Sequence, residues 1–172
     1  MKTEKILSFL KIISWIIFIG ISMTTISLII AFILSFTNSD LNEYFTVEEN
    51  WYNLKEKSNG LYVKAMSFNI GFCIVHAYIW FLAVRLFSKL DLKNPFTLNI
   101  SNKIELIAYQ YIALGILSIV GNKIFSELLR QFEIKFEFSF DAGYIFMAGI
   151  IYIISQIFKR GIEIQQENEL TV

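Results

Sequence analysis

The sequence predicts an all-α integral membrane protein, in which four transmembrane helices form an up-down bundle beneath a small extracytoplasmic cap of one short interfacial helix and one short β-strand. Hydrophobic residues make up 55% of the 172 residues and charged residues only 17%, whereas a soluble domain carries about a quarter charged residues. The charges are also segregated, because residues 12–36 contain none. A run of about 20 apolar residues suffices to cross a bilayer as a helix.

Four apolar segments are long enough to be spans, namely residues 6–36, 65–87, 104–125 and 142–158. The basic N-terminus before the first span is similar to a secretory signal, but the apolar run is too long and lacks a small-residue cleavage site. We therefore expect it to remain attached as an anchor.

The orientation follows from the lysines and arginines near the span ends, which favour the cytoplasmic side. Nine of the 15 lie in or beside the N-terminus, the connector 88–103 and the tail 159–172, if Arg85 is counted with the connector, and six lie in or beside the loops 37–64 and 126–141, if Lys123 is counted with the second loop. The sequence therefore predicts that both termini and the connector are cytoplasmic and that the other two loops are outside.

The first outer loop predicts a short helix at the membrane interface. Thr46 and Glu49 form a capping-box pattern, Trp51 and Leu54 fall on one helical face, and residues 58–60 supply a stop. The aromatic residues around this helix suit an interfacial belt or, alternatively, ligand recognition. They are Tyr44, Phe45, Trp51, Tyr52 and Tyr62.

The second outer loop predicts a β-strand, because apolar and polar residues alternate over residues 132–141. A lone strand leaves its backbone groups unpaired. We expect it to pair either with residues 61–63 of the other loop or with the same strand of a second subunit, unless the segment is irregular.

Polar residues in the outer halves and near the middle of the spans predict a pocket that opens outward. They are Thr24, Ser27, Asn69, His76, Tyr111, Ser118 and Asn122. Hydrogen bonding between helices explains the same residues without a ligand. His76 is the sharpest candidate, since an ionisable group at membrane depth is a functional-site hypothesis.

Signatures of catalysis and of cofactor binding are missing from the sequence. One histidine and one cysteine cannot build the usual multi-ligand metal sites, and no phosphate-binding glycine loop is present. No acidic residue lies deep in a predicted span. We therefore expect no catalytic residue, no metal and no cofactor, so the chain is predicted not to be an enzyme.

The connector and the tail carry a family resemblance. The segment Lys93-Asn94-Pro95-Phe96-Thr97, the helix start predicted near Asn102, and the ending 158–172 resemble those of the bacterial membrane family called domain of unknown function 2975. The resemblance covers nearly the whole chain. Members of that family are uncharacterised as catalysts and often occur beside a small helix-turn-helix regulator. It therefore implies a protein of the bacterial plasma membrane with no active site to carry over.

The resemblance implies a sensor or anchor in the bilayer for such a cytosolic regulator, with no direct binding of nucleic acid. The candidate docking residues lie in the connector and the tail, which is predicted to be a helical extension that breaks at Gly161. They are Asn94, Pro95, Phe96, Lys159, Arg160, Glu163, Glu167 and Glu169. The alternative is a small transporter or channel-forming subunit that uses the polar pocket. That function also requires a homo-oligomer, because four spans are few for a path through one chain.

Overall fold

The computed structural model describes residues 2–37, 49–92, 95–130 and 143–169, and these ranges hold five α-helices and no strand. The helices are α1 (Lys2–Leu34), α2 (Glu49–Lys57), α3 (Asn59–Lys89), α4 (Leu98–Arg130) and α5 (Gly143–Glu169). All but α2 are long and apolar enough to cross a membrane. The prediction of four apolar spanning helices is confirmed.

The helix α3 begins earlier than the predicted span, because Ser58 both ends α2 and starts α3. The amide of Ser58 donates to the Leu54 carbonyl at 2.8 Å, which closes the last turn of α2. The Ser58 side-chain oxygen then accepts a hydrogen bond from the amide of Leu61 at 3.4 Å, which is how an N-cap serine acts. Residues 61–63 are therefore helical, and the prediction that they pair with a β-strand is wrong. The predicted strand itself, residues 132–141, lies outside the described residues.

The helix α4 also starts earlier than predicted, because Thr97 caps it rather than Asn102. The Thr97 hydroxyl accepts from the amide of Ile100 at 3.4 Å, and the Thr97 carbonyl accepts from the amide of Ser101 at 3.0 Å. Thr97 follows Pro95 closely, and a proline is incompatible with a helix interior. The cap therefore forms at the first suitable side chain after the proline, and Asn102 lies inside the helix.

The helix α5 continues through the tail as far as Glu169, so the break predicted at Gly161 is wrong. A glycine costs a helix about 1 kcal/mol relative to alanine, which packing can offset. The predicted helical extension of the tail is confirmed.

The chain divides into two compact units, and each long helix except α5 contributes to both. The second unit comprises Ile19–Ala77 and Ile116–Asp141. In its core, α2 packs against α1, α3 and α4. Trp51 and Leu54 of α2 lie in one buried cluster with Ala31, Tyr62 and Phe125. The predicted apolar face of α2 is thus confirmed. Trp51 and Tyr62 are only 5% and 4% exposed, however, so these two aromatic rings belong to the core rather than to an interfacial belt.

The first unit comprises Met1–Phe18, Tyr78–Gly115 and Ala142–Val172. Within it α4 and α5 pack antiparallel. A Cβ atom added at Gly115 would lie 2.8 Å from Cγ1 of Ile145, so the two helices approach closely there. The rings of Tyr109 and Tyr152 are 6.2 Å apart by their centroids further along. The same pair of helices carries the candidate docking residues at its other end.

Candidate functional site

The connector meets the tail through the ring of Phe96, which lies against α5 in the first unit. The ring centroids of Phe96 and Phe158 are 5.3 Å apart. A Cβ atom added at Gly161 would lie 2.7 Å from Cδ1 of Phe96, so the ring rests on the backbone of α5 where no side chain stands. About 40% of Phe96 is still exposed. One edge of the ring therefore holds the connector on α5, and the other edge faces outward.

Two polar contacts between α4 and α5 hold the same region together. The Lys159 ammonium donates to Oε2 of Glu105 at 2.9 Å, and the Tyr109 hydroxyl donates to Oε1 at 3.0 Å. The Ser101 hydroxyl donates to the carbonyl of Ser155 at 3.1 Å, and neither serine is exposed. Both oxygens of Glu105 are thereby satisfied. Lys159, which is predicted as a docking residue, forms this ion pair inside the first unit.

The other docking candidates of the tail lie on the exposed end of α5. Arg160 and Glu163 form an ion pair at 2.7 Å, with more than half of each side chain exposed. Glu167 is exposed one turn further on. Two positive and three negative residues lie between Lys159 and Glu169. The outer part of the helix is acidic, because no basic residue follows Arg160. Asn94 and the side chain of Glu169 lie outside the described part of the chain.

The residues of the predicted polar pocket divide between the two units. Tyr111 belongs to the first unit, whereas the other six belong to the second. Ser118 is buried, and Ser27, Asn69, His76 and Asn122 are half-buried, whereas Thr24 is exposed. The Thr24 hydroxyl donates to the carbonyl of Ile21 in its own helix at 2.8 Å. Asn69 accepts a weak hydrogen bond from the thiol of Cys73, one turn along α3, at 3.9 Å.

Sequence reasoning missed the Glu105–Lys159 pair and the packing of Phe96 on Gly161. A signal for the ion pair was present, because Glu105 and Lys159 each stand at the same end of adjacent antiparallel spans. The packing of Phe96 had no signal, since a glycine is equally consistent with a helix break.

The long helices identify the class of protein, and the comparison with family models identifies the family. Four long apolar helices make this chain a multi-pass membrane protein. The chain belongs to the family described as "Protein of unknown function (DUF2975)", whose family model matches residues 49–172. The resemblance drawn from the connector and the tail is therefore confirmed. A comparison with curated proteins finds no match, and a comparison with solved structures finds none either.

Proposed function

We propose that this chain is an anchor or sensor in a bacterial plasma membrane, and that its connector and tail dock a basic cytosolic partner such as a helix-turn-helix regulator. The four spans alternate in direction, both termini are cytoplasmic, and α2 lies at the outer interface. The inward surface is then formed by the connector and the end of α5.

One observation supports this proposal above the others: Phe96 packs on Phe158 and Gly161. Two segments that are far apart in sequence thereby contribute to one surface, with an aromatic ring beside an exposed helix end. Aromatic side chains are enriched among the residues that dominate binding at protein interfaces. A partner that contacts Phe96 would therefore also reach the exposed end of α5.

The charge of that helix end favours a basic partner. Three acidic residues and no basic residue follow Arg160 in α5, namely Glu163, Glu167 and Glu169. A DNA-binding protein carries basic surface, and complementary charge mainly accelerates association and selects the partner. The docking proposal therefore predicts binding that weakens as salt is added, because exposed charges are screened.

The test is binding of the purified chain in detergent micelles to a helix-turn-helix regulator encoded next to its gene. Glu163→Gln combined with Glu167→Gln should weaken binding about two- to thirtyfold, since exposed charges contribute about 0.2–1 kcal/mol each. Glu56→Gln is the matched control, because Glu56 is also an exposed helical glutamate but lies in the second unit. Equal binding by the double variant and the control would refute the proposal.

The orientation has its own test, which uses the single cysteine of the chain. In a Cys73→Ser background, Gln166→Cys and Glu56→Cys each place one thiol at an exposed position. A membrane-impermeant thiol reagent added to intact cells should label Glu56→Cys and spare Gln166→Cys until the cells are opened. The reverse pattern would invert the proposed topology.

A further inference from the structure

An apolar cavity of about 470 Å³ lies between α3, α4 and α5 in the first unit. Its walls include Trp80, Ala83, Phe87, Ile104 and Ile154. The size falls within the range of about 300–1,000 Å³ that is typical of ligand pockets. Ile154 is 40% exposed, so the cavity reaches the surface of a protein whose surroundings are lipid. Almost every lining atom is apolar, which suits a hydrocarbon chain.

A lysine with a buried, unpaired ammonium group stands beside this cavity. Within the described residues, Nζ of Lys103 is buried and has no hydrogen-bond partner. Lys103 follows the lining residue Ile100 by three positions and precedes Ile107 by four, so it shares their helical face. A buried charge without a partner is costly. An anion at this ammonium group would therefore stabilise it.

The charged groups that act on Lys103 are also positive, namely Lys89 and Arg85. Both lie on α3 beside lining residues of the same cavity. The nearest acid in sequence, Glu105, already binds Lys159 and Tyr109. Glu4 and Asp91 line a neighbouring depression at the start of α1, which shares Phe87 and Leu90 with the cavity. The basic cluster of Arg85, Lys89 and Lys103 therefore lies beside residues that line the apolar cavity, and Asp91 lies on the side of the neighbouring depression.

We infer that this cavity binds an anionic phospholipid, with an acyl chain between α3, α4 and α5 and the headgroup phosphate at Lys103, Lys89 and Arg85. The charge complementarity assigns the anionic headgroup, and the apolar walls assign the chain. Basic pockets between transmembrane helices are a known way of binding such headgroups. The inference concerns the cavity alone and does not depend on the proposed docking partner.

The experiment uses Trp80 as a reporter, because its side chain lines the cavity. The full chain carrying Trp15→Phe, which removes an exposed tryptophan, is reconstituted in phosphatidylcholine vesicles. A small, equal fraction of either phosphatidylglycerol or phosphatidylcholine with brominated acyl chains is then added. The site predicts stronger quenching of tryptophan fluorescence by the brominated phosphatidylglycerol. Equal quenching by the two lipids would overturn the inference without any further variant.

Variants separate the headgroup from the chain. Lys103→Gln should reduce the preference for phosphatidylglycerol about fivefold, which is what loss of about 1 kcal/mol for one basic side chain gives. Lys103→Arg should retain it, and so should Lys64→Gln, a matched exposed lysine of the second unit. Ala83→Phe, which fills the cavity from its wall, should abolish the excess quenching.

Three results would overturn the assignment. The first is an unchanged preference in a folded Lys103→Gln variant. The second is an undiminished excess in Ala83→Phe, because the acyl chain would then lie elsewhere. The third is removal of the preference by inorganic phosphate at the concentration of the lipid, which would show that the basic cluster binds free phosphate and not a lipid. Circular dichroism of each variant in the far ultraviolet checks that its helices are intact.

Discussion

Replacing Gly161 by alanine tests the packing that joins the connector to the last helix. A Cβ atom at this position would lie 2.7 Å from Cδ1 and 2.8 Å from Cε1 of Phe96. Carbon atoms pack at about 3.5–4.0 Å, so the ring has to move by roughly 1 Å or leave the surface of α5. The same ring also contacts Phe158 of α5, so the substitution acts directly on the packing of the connector against α5.

Two effects of opposite sign determine the free energy of unfolding of Gly161→Ala. Alanine stabilises a helix interior by about 1 kcal/mol relative to glycine, whereas overpacking costs about 1–3 kcal/mol. We therefore expect a net loss of about 1 kcal/mol. Gly149→Ala is the matched control in the same helix, because an added Cβ there meets nothing within 4 Å among the described residues. It should be neutral or stabilising by up to about 1 kcal/mol.

The assay is unfolding in mixed micelles by titration with sodium dodecyl sulfate, followed by circular dichroism, for the two single variants and for Phe96→Ala. In the Phe96→Ala background, Gly161→Ala should stabilise the protein by about 1 kcal/mol, because only the helix-propensity effect remains. The sign of the effect therefore changes with the residue at position 96. An equal gain in both backgrounds, matching that of Gly149→Ala, would refute the packing of the connector on α5.

Three further substitutions test other contacts by the same titration. Leu54→Ala should lower the free energy of unfolding by about 2–5 kcal/mol because Leu54 is fully buried. Tyr52→Ala, at a position that is 53% exposed, should lower it far less. Equal losses would contradict the packing of Leu54 in the core of the second unit. Glu105→Gln and Lys159→Gln should be non-additive by about 0.5–3 kcal/mol in a double-mutant cycle, and additivity would exclude the ion pair. Ser101→Ala should lower the free energy of unfolding by about 0.5–1.5 kcal/mol, the contribution of one hydrogen bond. An unchanged stability would contradict the hydrogen bond from Ser101 to α5.

The number and type of the long helices were predictable because each of them contains one long apolar run. Their ends were less predictable, since the charged residues that bound the apolar runs continue the helices beyond them. The helix α4 begins at Leu98 and not near Asn102, and α3 begins at Asn59, before the predicted span 65–87. The length of an apolar run matches the part of the helix that crosses the bilayer. The ends of the helix are set by caps such as Ser58 and Thr97.

The two segments of the candidate site, the connector and the tail, were predictable from the sequence, but the contacts between them were not. The basic and aromatic residues of the connector and the acids of the tail are visible in the sequence, but their pairing depends on the register between α4 and α5. The contacts of Ser101 with Ser155 and of Glu105 with Lys159 fix that register. Both contacts join residues separated by 54 positions, so no local pattern can reveal them.

Hydroxyl side chains within the spans show why polarity alone does not identify a functional pocket. Thr24 and its neighbour Thr25 both donate to the carbonyl of Ile21, at 2.8 and 2.7 Å, although Thr25 is buried and Thr24 is exposed. A hydroxyl that is satisfied within its own helix can face either helix or lipid, and its small size then permits close packing where it is buried. The threonine and serine residues are therefore weak evidence for a polar pocket. That hypothesis depends instead on His76 and Asn122, whose larger polar groups are costly to place in a bilayer without partners.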